Sequence, residues 1–317
     1  MPLLVLPQED QQLATLAASA PAAARYIALQ YTSPSGDVLS LSDDSDVAGI
    51  HTLTGIDGLG AAPRALTLQP LATGGAYARW SHAEPRMITL PLHLQADSNP
   101  ELVALRRRLT LALLSTVPAA GVPTPGTLRV TRSDGTWREI GCLYSDGLGG
   151  ADEGSLTPLV DRAVLQLICP DPWWYGENAV AADFAASLTA RNYLNPYETV
   201  STGRTLGTVQ VDIVGDAAVS PVWTITGPAT SVTVRYQPSG PGWTYGAITA
   251  GRTVTIDTEN YTVTDDTGAS KIGSIAWPTS TLFHMSPGPS TLTVSIQGGT
   301  TGVSGVRLSY RPRWEAA

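Results

Sequence analysis

The sequence is poor in the residues that most often carry chemistry. Its 317 residues include two cysteines, Cys142 and Cys169, too few for a disulfide framework or a four-thiolate zinc site. The four histidines, His51, His82, His93 and His284, are scattered, with no H-x-x-x-H or E-x-x-H spacing. Charged residues make up only 15% of the chain, and acidic residues outnumber basic ones 27 to 19, so a basic nucleic-acid-binding surface is not expected to be its main business. No run of about 18 apolar residues exists, so no membrane-spanning helix is expected. Met1–Pro7 is apolar but short and lacks a basic flank, so no secretory signal is expected either. A serine nucleophile would need a tight G-x-S-x-G turn, and none is present. Gly147-Leu148-Gly149-Gly150 follows a strand, but it lacks the Lys-Ser/Thr of a phosphate loop and leads into an acidic segment.

What is abundant is turn chemistry. There are 31 glycines and 24 prolines in a chain that is 43% hydrophobic, a composition for many short strands around a sizeable core. Two regions differ in pattern and charge. Residues 1–180 are mixed and form the expected first domain. Residues 206–317 are almost wholly alternation and turns. Between them, 181–205 is polar and irregular and reads as a connector. Residues 1–205 hold 13 basic and 20 acidic side chains; 206–317 hold 6 and 7.

In the first region, Tyr26–Thr32 and Val38–Leu41 read as strands around a Ser33–Asp37 turn. Asp43, Asp44 and Asp46 lack the spacing of a calcium loop and read as a solvated loop. Met87–Gln95 alternates strictly, with Ile88, Leu90, Leu92 and Leu94 on one face. Pro91 then places this strand at an edge or a bulge, and His93 on its polar face reads as exposed. Ser98-Asn99-Pro100-Glu101 is a capping-box pattern opening a helix to about Thr116, with Leu102, Leu105, Leu109, Ala112 and Leu113 as its apolar stripe. Arg106, Arg107 and Arg108 fall on the remaining circumference, as a solvated or subunit-facing surface. Ser133-Asp134-Gly135 joins a hairpin. Arg162–Ile168 alternates and runs into Cys169-Pro170-Asp171-Pro172-Trp173-Trp174-Tyr175-Gly176. Trp173, Trp174 and Tyr175 read as a structural plug over the end of a sheet core rather than a stacking platform. Asp171 is the best of poor candidates for a glycosidase carboxylate, and nothing marks a partner for it. Both cysteines read as reduced, buried thiols.

In the second region Val209/Val211/Ile213, Trp223/Ile225, Val232/Val234/Tyr236, Val254/Ile256, Tyr261/Val263, Leu292/Val294/Ile296 and Val306/Leu308/Tyr310 all alternate. At least seven short strands point to an antiparallel β-sandwich. Trp223 reads as core. Trp243, Tyr245 and Trp277 lie among Gly and Pro and are the candidates for a ligand-binding surface.

The order of these features resembles the distal tail proteins, or minor tail proteins, of long-tailed siphophages. The resemblance runs through Gly49–Gly60, Arg86-Met87-Ile88-Thr89-Leu90-Pro91-Leu92, the hairpin ending Ile140–Leu148, Cys169–Gly176, Ser286-Pro287-Gly288-Pro289-Ser290 and the closing Tyr310-Arg311-Pro312-Arg313-Trp314. It covers nearly the whole chain, and the Pro-Asp-Pro-Trp-Trp-Tyr-Gly segment is its most specific element. It implies a mainly β protein with one main helix: an N-terminal ring-forming domain that carries the helix, and a galectin-like or carbohydrate-module-like sandwich. It implies a structural virion protein without catalysis, metal or cofactor. Its partners would be further copies in a ring, commonly six, with the tail tube on one side and tip or baseplate proteins on the other. DNA would pass through the channel without specific binding, and no membrane would be engaged. The protein would be made in the host cytoplasm and reside at the tail tip of the virion. Two other readings stay open on the residues alone: a carbohydrate-binding adhesion module built on Trp243, Tyr245 and Trp277, and a tail-associated glycoside hydrolase.

Overall fold

A computed structural model describes residues 27–42, 48–118, 120–149, 159–185, 204–237 and 240–317. The expected solvated-loop residues Asp43, Asp44 and Asp46 lie outside them, as do the acidic Asp152 and Glu153 after Gly147–Gly150 and most of the expected connector. The described residues are mostly strand and fall into two compact units. One takes the residues up to Ile56 with Ile88–Ile168; the other takes Asp57–Met87 with Cys169–Ala317. The second unit thus includes an insertion from the first third of the chain.

The first unit begins with β1 (Ile27–Thr32), β2 (Val38–Ser40) and β3 (Gly49–Thr52). Strands β4 (Arg64–Pro70) and β5 (Ala76–Ala83) belong to the second unit. The first unit resumes with β6 (Arg86–Gln95), helix α1 (Asn99–Leu114), β7 (Gly126–Arg132), β8 (Trp137–Asp146) and β9 (Val160–Cys169). Its strands are ordered β2-β1-β7-β8-β9-β6-β3. One face is dry: Leu29, Tyr31, Ile88, Leu90, Leu92, Leu94, Leu128, Val130, Ile140, Leu165 and Leu167 are all buried. The helix, which contacts β8, adds Leu102, Leu109, Ala112 and Leu113. Period-2 strands and a period-3.6 helix meet on a single apolar surface, as their sequences require.

Three local expectations are revised. Ser98 is the N-cap, but its side chain makes no capping bond; the helix opens on the Leu102 N–H donating to the Ser98 carbonyl at 3.0 Å. Pro91 is not on an edge strand, since β6 lies between β9 and β3. The ladder with β3 ends at Thr52↔Leu92, and the Leu53 N–H then donates to the Pro91 carbonyl at 2.8 Å. The missing N–H of Pro91 therefore falls where β3 leaves the sheet. His93 is half-buried rather than exposed. It lies opposite His51 with ring centroids 6.0 Å apart, and burial, then Arg162 and His51, lower its pKa.

The glycine run after β8 has a steric purpose. Gly147 has φ +105°, and a Cβ there would lie 1.9 Å from the Val164 carbonyl oxygen on β9. Only glycine lets the chain pass this close to a neighbouring strand.

The second unit continues with β10 (Trp174–Gly176), β11 (Val180–Ala185), β12 (Arg204–Ile213), β13 (Val222–Thr226), β14 (Ser231–Tyr236), β15 (Gly242–Tyr245), β16 (Thr253–Asp257), β17 (Thr262–Asp265), β18 (Gly288–Gln297), β19 (Gly305–Tyr310) and β20 (Arg313–Trp314). Two antiparallel sheets, ordered β11-β19-β13-β16-β17 and β12-β18-β14-β15, form the sandwich. Strands form at all seven expected segments, but Tyr261 lies just outside β17, at φ +53° and exposed, so only Val263 of that pair faces the core. Val180–Ala185, at the head of the expected connector, is a further strand paired with β19. Trp223 from one sheet meets Trp243 from the other edge-on, with centroids 5.7 Å apart, and Phe283 packs on Trp223 at 6.0 Å. Both indoles are essentially inaccessible and belong to one apolar cluster.

Two substitutions test these cores by chemical unfolding. Trp223→Ala should cost about 3–5 kcal/mol, the usual toll for a buried tryptophan. Gly147→Ala should cost about 1–3 kcal/mol through backbone strain and clash. Parent-like unfolding of either variant would contradict the packing described.

Candidate functional site

The prolines of Cys169–Gly176 end β9 and send the chain into β10, whose partner is β20. Trp174 pairs with Trp314, and Tyr175 with Arg313. Trp174 is fully buried, while Trp173 and Tyr175 are half-buried. The Arg86 guanidinium lies 5.8 Å from the Trp174 ring centroid.

Arg86 is itself only 2% exposed, and its hydrogen bonds run to backbone carbonyls. One terminal nitrogen donates to Gly58 at 3.1 Å and Gly60 at 2.7 Å; the other donates to Glu315 at 2.8 Å. Burial lowers its pKa, against the pull of Cys169, Glu315 and Asp171. The Glu315 carboxylate accepts from the Ala62 N–H at 3.2 Å and pairs with Arg64. The Glu315 N–H donates to Asp216, and the Ala317 N–H donates to the Leu59 carbonyl at 2.9 Å. Segments remote in sequence, Asp57–Arg64, Arg86, Trp174 and Arg313–Ala317, are thus tied into one knot.

A second network adjoins it. The Tyr175 hydroxyl donates to Asp171, and Arg313 Nε donates to the Tyr175 oxygen at 3.2 Å. Arg313 also reaches the Ala218 carbonyl at 3.3 Å and pairs with Glu259. Arg311 lies 5.3 Å from the Tyr175 ring centroid. Burial, then the bond to Asp171, raises the Tyr175 pKa. Tyr175, Glu259, Arg311 and Arg313, with Ser220 and Tyr310, line an open cleft of about 280 Å³.

The carboxylates in and beside the cleft are engaged. Asp171 is engaged by Tyr175 and Glu259 by Arg313, so they do not form a free acid–base pair of the glycosidase kind. Cys169 is a buried free thiol, pushed up by desolvation to about 12, well away from a reactive thiolate. Among the described residues, no cluster of three or more His, Cys, Asp or Glu could hold a metal ion.

The three ligand-surface candidates separate. Trp243 and Tyr245 are 1% and 3% exposed on β15, inside the sandwich core, which corrects their expected place in surface loops. Trp277 is 49% exposed, with its indole N–H donating to the Ile272 carbonyl at 3.1 Å. The exposed aromatics that sequence reasoning passed over are Tyr77 and Trp80 on β5. Their signal was the pair of apolar stretches on either side of Thr73-Gly74-Gly75. Arg86 falls within the Arg86–Leu92 motif, but nothing local in the sequence marks it as buried.

Replacing Arg86 by methionine would leave three carbonyls without their donor. The expected cost is about 3 kcal/mol or more in chemical unfolding, with little rescue by lysine, which lacks the fork that spans two segments. A methionine variant as stable as the parent would show that the knot contributes nothing to the fold.

Residues 214–314 match the family described as siphovirus-type tail component, C-terminal domain. No curated protein matches the sequence. Among solved structures, the SPP1 Dit protein, described as a paradigm of the hub adsorption apparatus of phages infecting Gram-positive hosts, aligns over 91% of this chain and 99% of its own. The TM-score is 0.61 at 13% identity. A chain of the phage P2 baseplate in its activated, calcium-containing conformation aligns over 92% and 99%, with a TM-score of 0.51 at 9% identity. The family match covers the C-terminal 214–314, and the chain as a whole has the fold of the SPP1 Dit protein along nine-tenths of its length.

Proposed function

We propose that this chain is the structural hub at the distal end of a phage tail, joining the tail tube to the tip or baseplate. The observation that carries the reading is the full-length correspondence with the SPP1 hub protein, which extends well beyond the C-terminal family match. In this reading the first 180 residues build a ring, usually of six copies, and the sandwich of residues 206–317 faces outward. The ring leaves a channel through which DNA passes. The protein is made in the host cytoplasm and ends in the virion, at the tail tip. Its work is positional, so neither catalysis nor a cofactor is required. The engaged carboxylates Asp171 and Glu259 fit that role. The adhesion-module reading loses support, because two of its three platforms lie inside the sandwich core.

A channel for DNA must not grip phosphate, since each neutralised phosphate releases counterions and strengthens binding. The excess of 20 acidic over 13 basic residues in 1–205 suits such a lumen. Arg106 and Arg108 are paired with Asp161 and Asp37, at 3.0 and 2.6 Å, and are placed in this reading at subunit contacts or the outer wall.

Two measurements follow. Light scattering on the full chain, alone and with its tail-tube partner, should show a closed oligomer; a strictly monomeric chain under both conditions would sink the hub reading. That oligomer should not bind double-stranded DNA at physiological salt. Tight binding there would overturn the repelling channel.

A further inference from the structure

The β4–β5 ribbon is bare on both faces. Within it, Leu66, Leu68, Leu71, Tyr77 and Trp80 are each more than half exposed. Register fixes the two faces. Ala65↔His82, Thr67↔Trp80 and Gln69↔Tyr77 share one; Leu66↔Ser81, Leu68↔Ala78 and Pro70↔Ala76 share the other. Trp80 and His82 stack at 4.6 Å on the first, giving an aromatic face and an aliphatic one. The ribbon's foot is held by Arg64, Arg86 and Glu315. A two-stranded ribbon is marginal by itself in water, and this one has aromatic groups with nothing of its own unit upon them.

The outward side of α1 is uncovered in a complementary way. Val103, Leu111 and Leu114 are 59%, 59% and 43% exposed, and with Arg107 they follow the i, i+4, i+8, i+11 spacing of one helical stripe. Arg106 and Arg108 are committed to Asp161 and Asp37. Arg107 is exposed and has no ion-pair partner among the described residues. An aliphatic stripe broken by one unpaired guanidinium suits indole and phenol faces, which take both the methyl groups and the cation.

We propose that the aromatic face of the ribbon docks on the outer stripe of α1 in a second copy of this chain, with Arg107 against the rings of Tyr77 and Trp80. This deepens, and rests on, the ring reading above. Charge favours the same occupant. The segment 64–83 holds two arginines and no carboxylate, whereas the rest of the chain holds 17 basic and 27 acidic residues. Asp97 and Glu101, beside Ala104 in a groove of about 450 Å³ at the head of α1, supply carboxylates for Arg79. Ribbon and helix stripe are different surfaces of one protomer, so their contact is head-to-tail, the kind that closes into a ring.

The test uses the full chain. Thr67→Cys and Leu111→Cys are made separately, mixed and oxidised; the native cysteines are buried and free. A cross-linked pair should form in the mixture and in neither protein alone. Trp80→Ala or Arg107→Glu should raise the half-assembly concentration by about tenfold or more, as loss of an aromatic or arginine anchor does, without changing monomer melting. Leu66→Ser, on the other face, should leave assembly within about twofold of the parent. A ring that closes without the cross-link, or that weakens with Leu66→Ser and not with Trp80→Ala, overturns the docking and leaves the ring standing. A chain that stays monomeric with tube and tip partners present removes the ring reading and the docking with it.

Discussion

One buried cation organises the second unit. Arg86 sits at the start of β6, almost wholly out of water, and its hydrogen bonds go to the backbone. Removing a guanidinium from water is costly unless its donors are met and its charge is compensated. Here the Gly58, Gly60 and Glu315 carbonyls accept from the two terminal nitrogens, Nε is left without a partner among the described residues, and the Trp174 face adds to the compensation. Because these partners come from three separate segments, the cation is accommodated only when those segments are in place. The Gly58–Gly60 loop, the aromatic segment after β9 and the closing residues of the chain are therefore coupled through a single side chain.

That coupling explains a pattern already present in the sequence. The Gly49–Gly60 segment, the arginine of Arg86–Leu92, the Trp-Trp-Tyr-Gly run and the closing Tyr310–Trp314 look unrelated in the linear chain. In the folded second unit, parts of each converge: Gly58 and Gly60, Arg86, Trp174 and Tyr175, and Arg313. Arg313 then repeats the logic on the neighbouring network, bonded to Tyr175, Ala218 and Glu259. The segments hold geometry, and their side chains bond to one another rather than leaving a reactive group free.

Strands and helix were legible because their periods are long enough to count. Ile88 to Leu94 alternates over four apolar positions, and all four are buried. The Gly-Trp-Thr-Tyr stretch was not legible, because Trp243 and Tyr245 give only one repeat of a period-2 pattern between turn residues. The strand nevertheless forms: Gly242 pairs with Arg235, where a Cβ would lie 2.5 Å from the Val234 carbonyl, and Trp243 then reaches Trp223. The role of Arg86 was hidden for another reason. Burial of a cation is decided by carbonyls contributed from 26 to 229 residues away, and no local pattern encodes them. The division of the chain was likewise obscured, since Asp57–Met87 joins residues that follow it by more than eighty positions.

The central claim is that this protein works as an assembled hub. Class averages of the purified full chain in negative stain address it directly. The account predicts closed rings of a single copy number around a central channel, with the sandwich units at the periphery. Fields of separate single chains, or open filaments without rings, would contradict it.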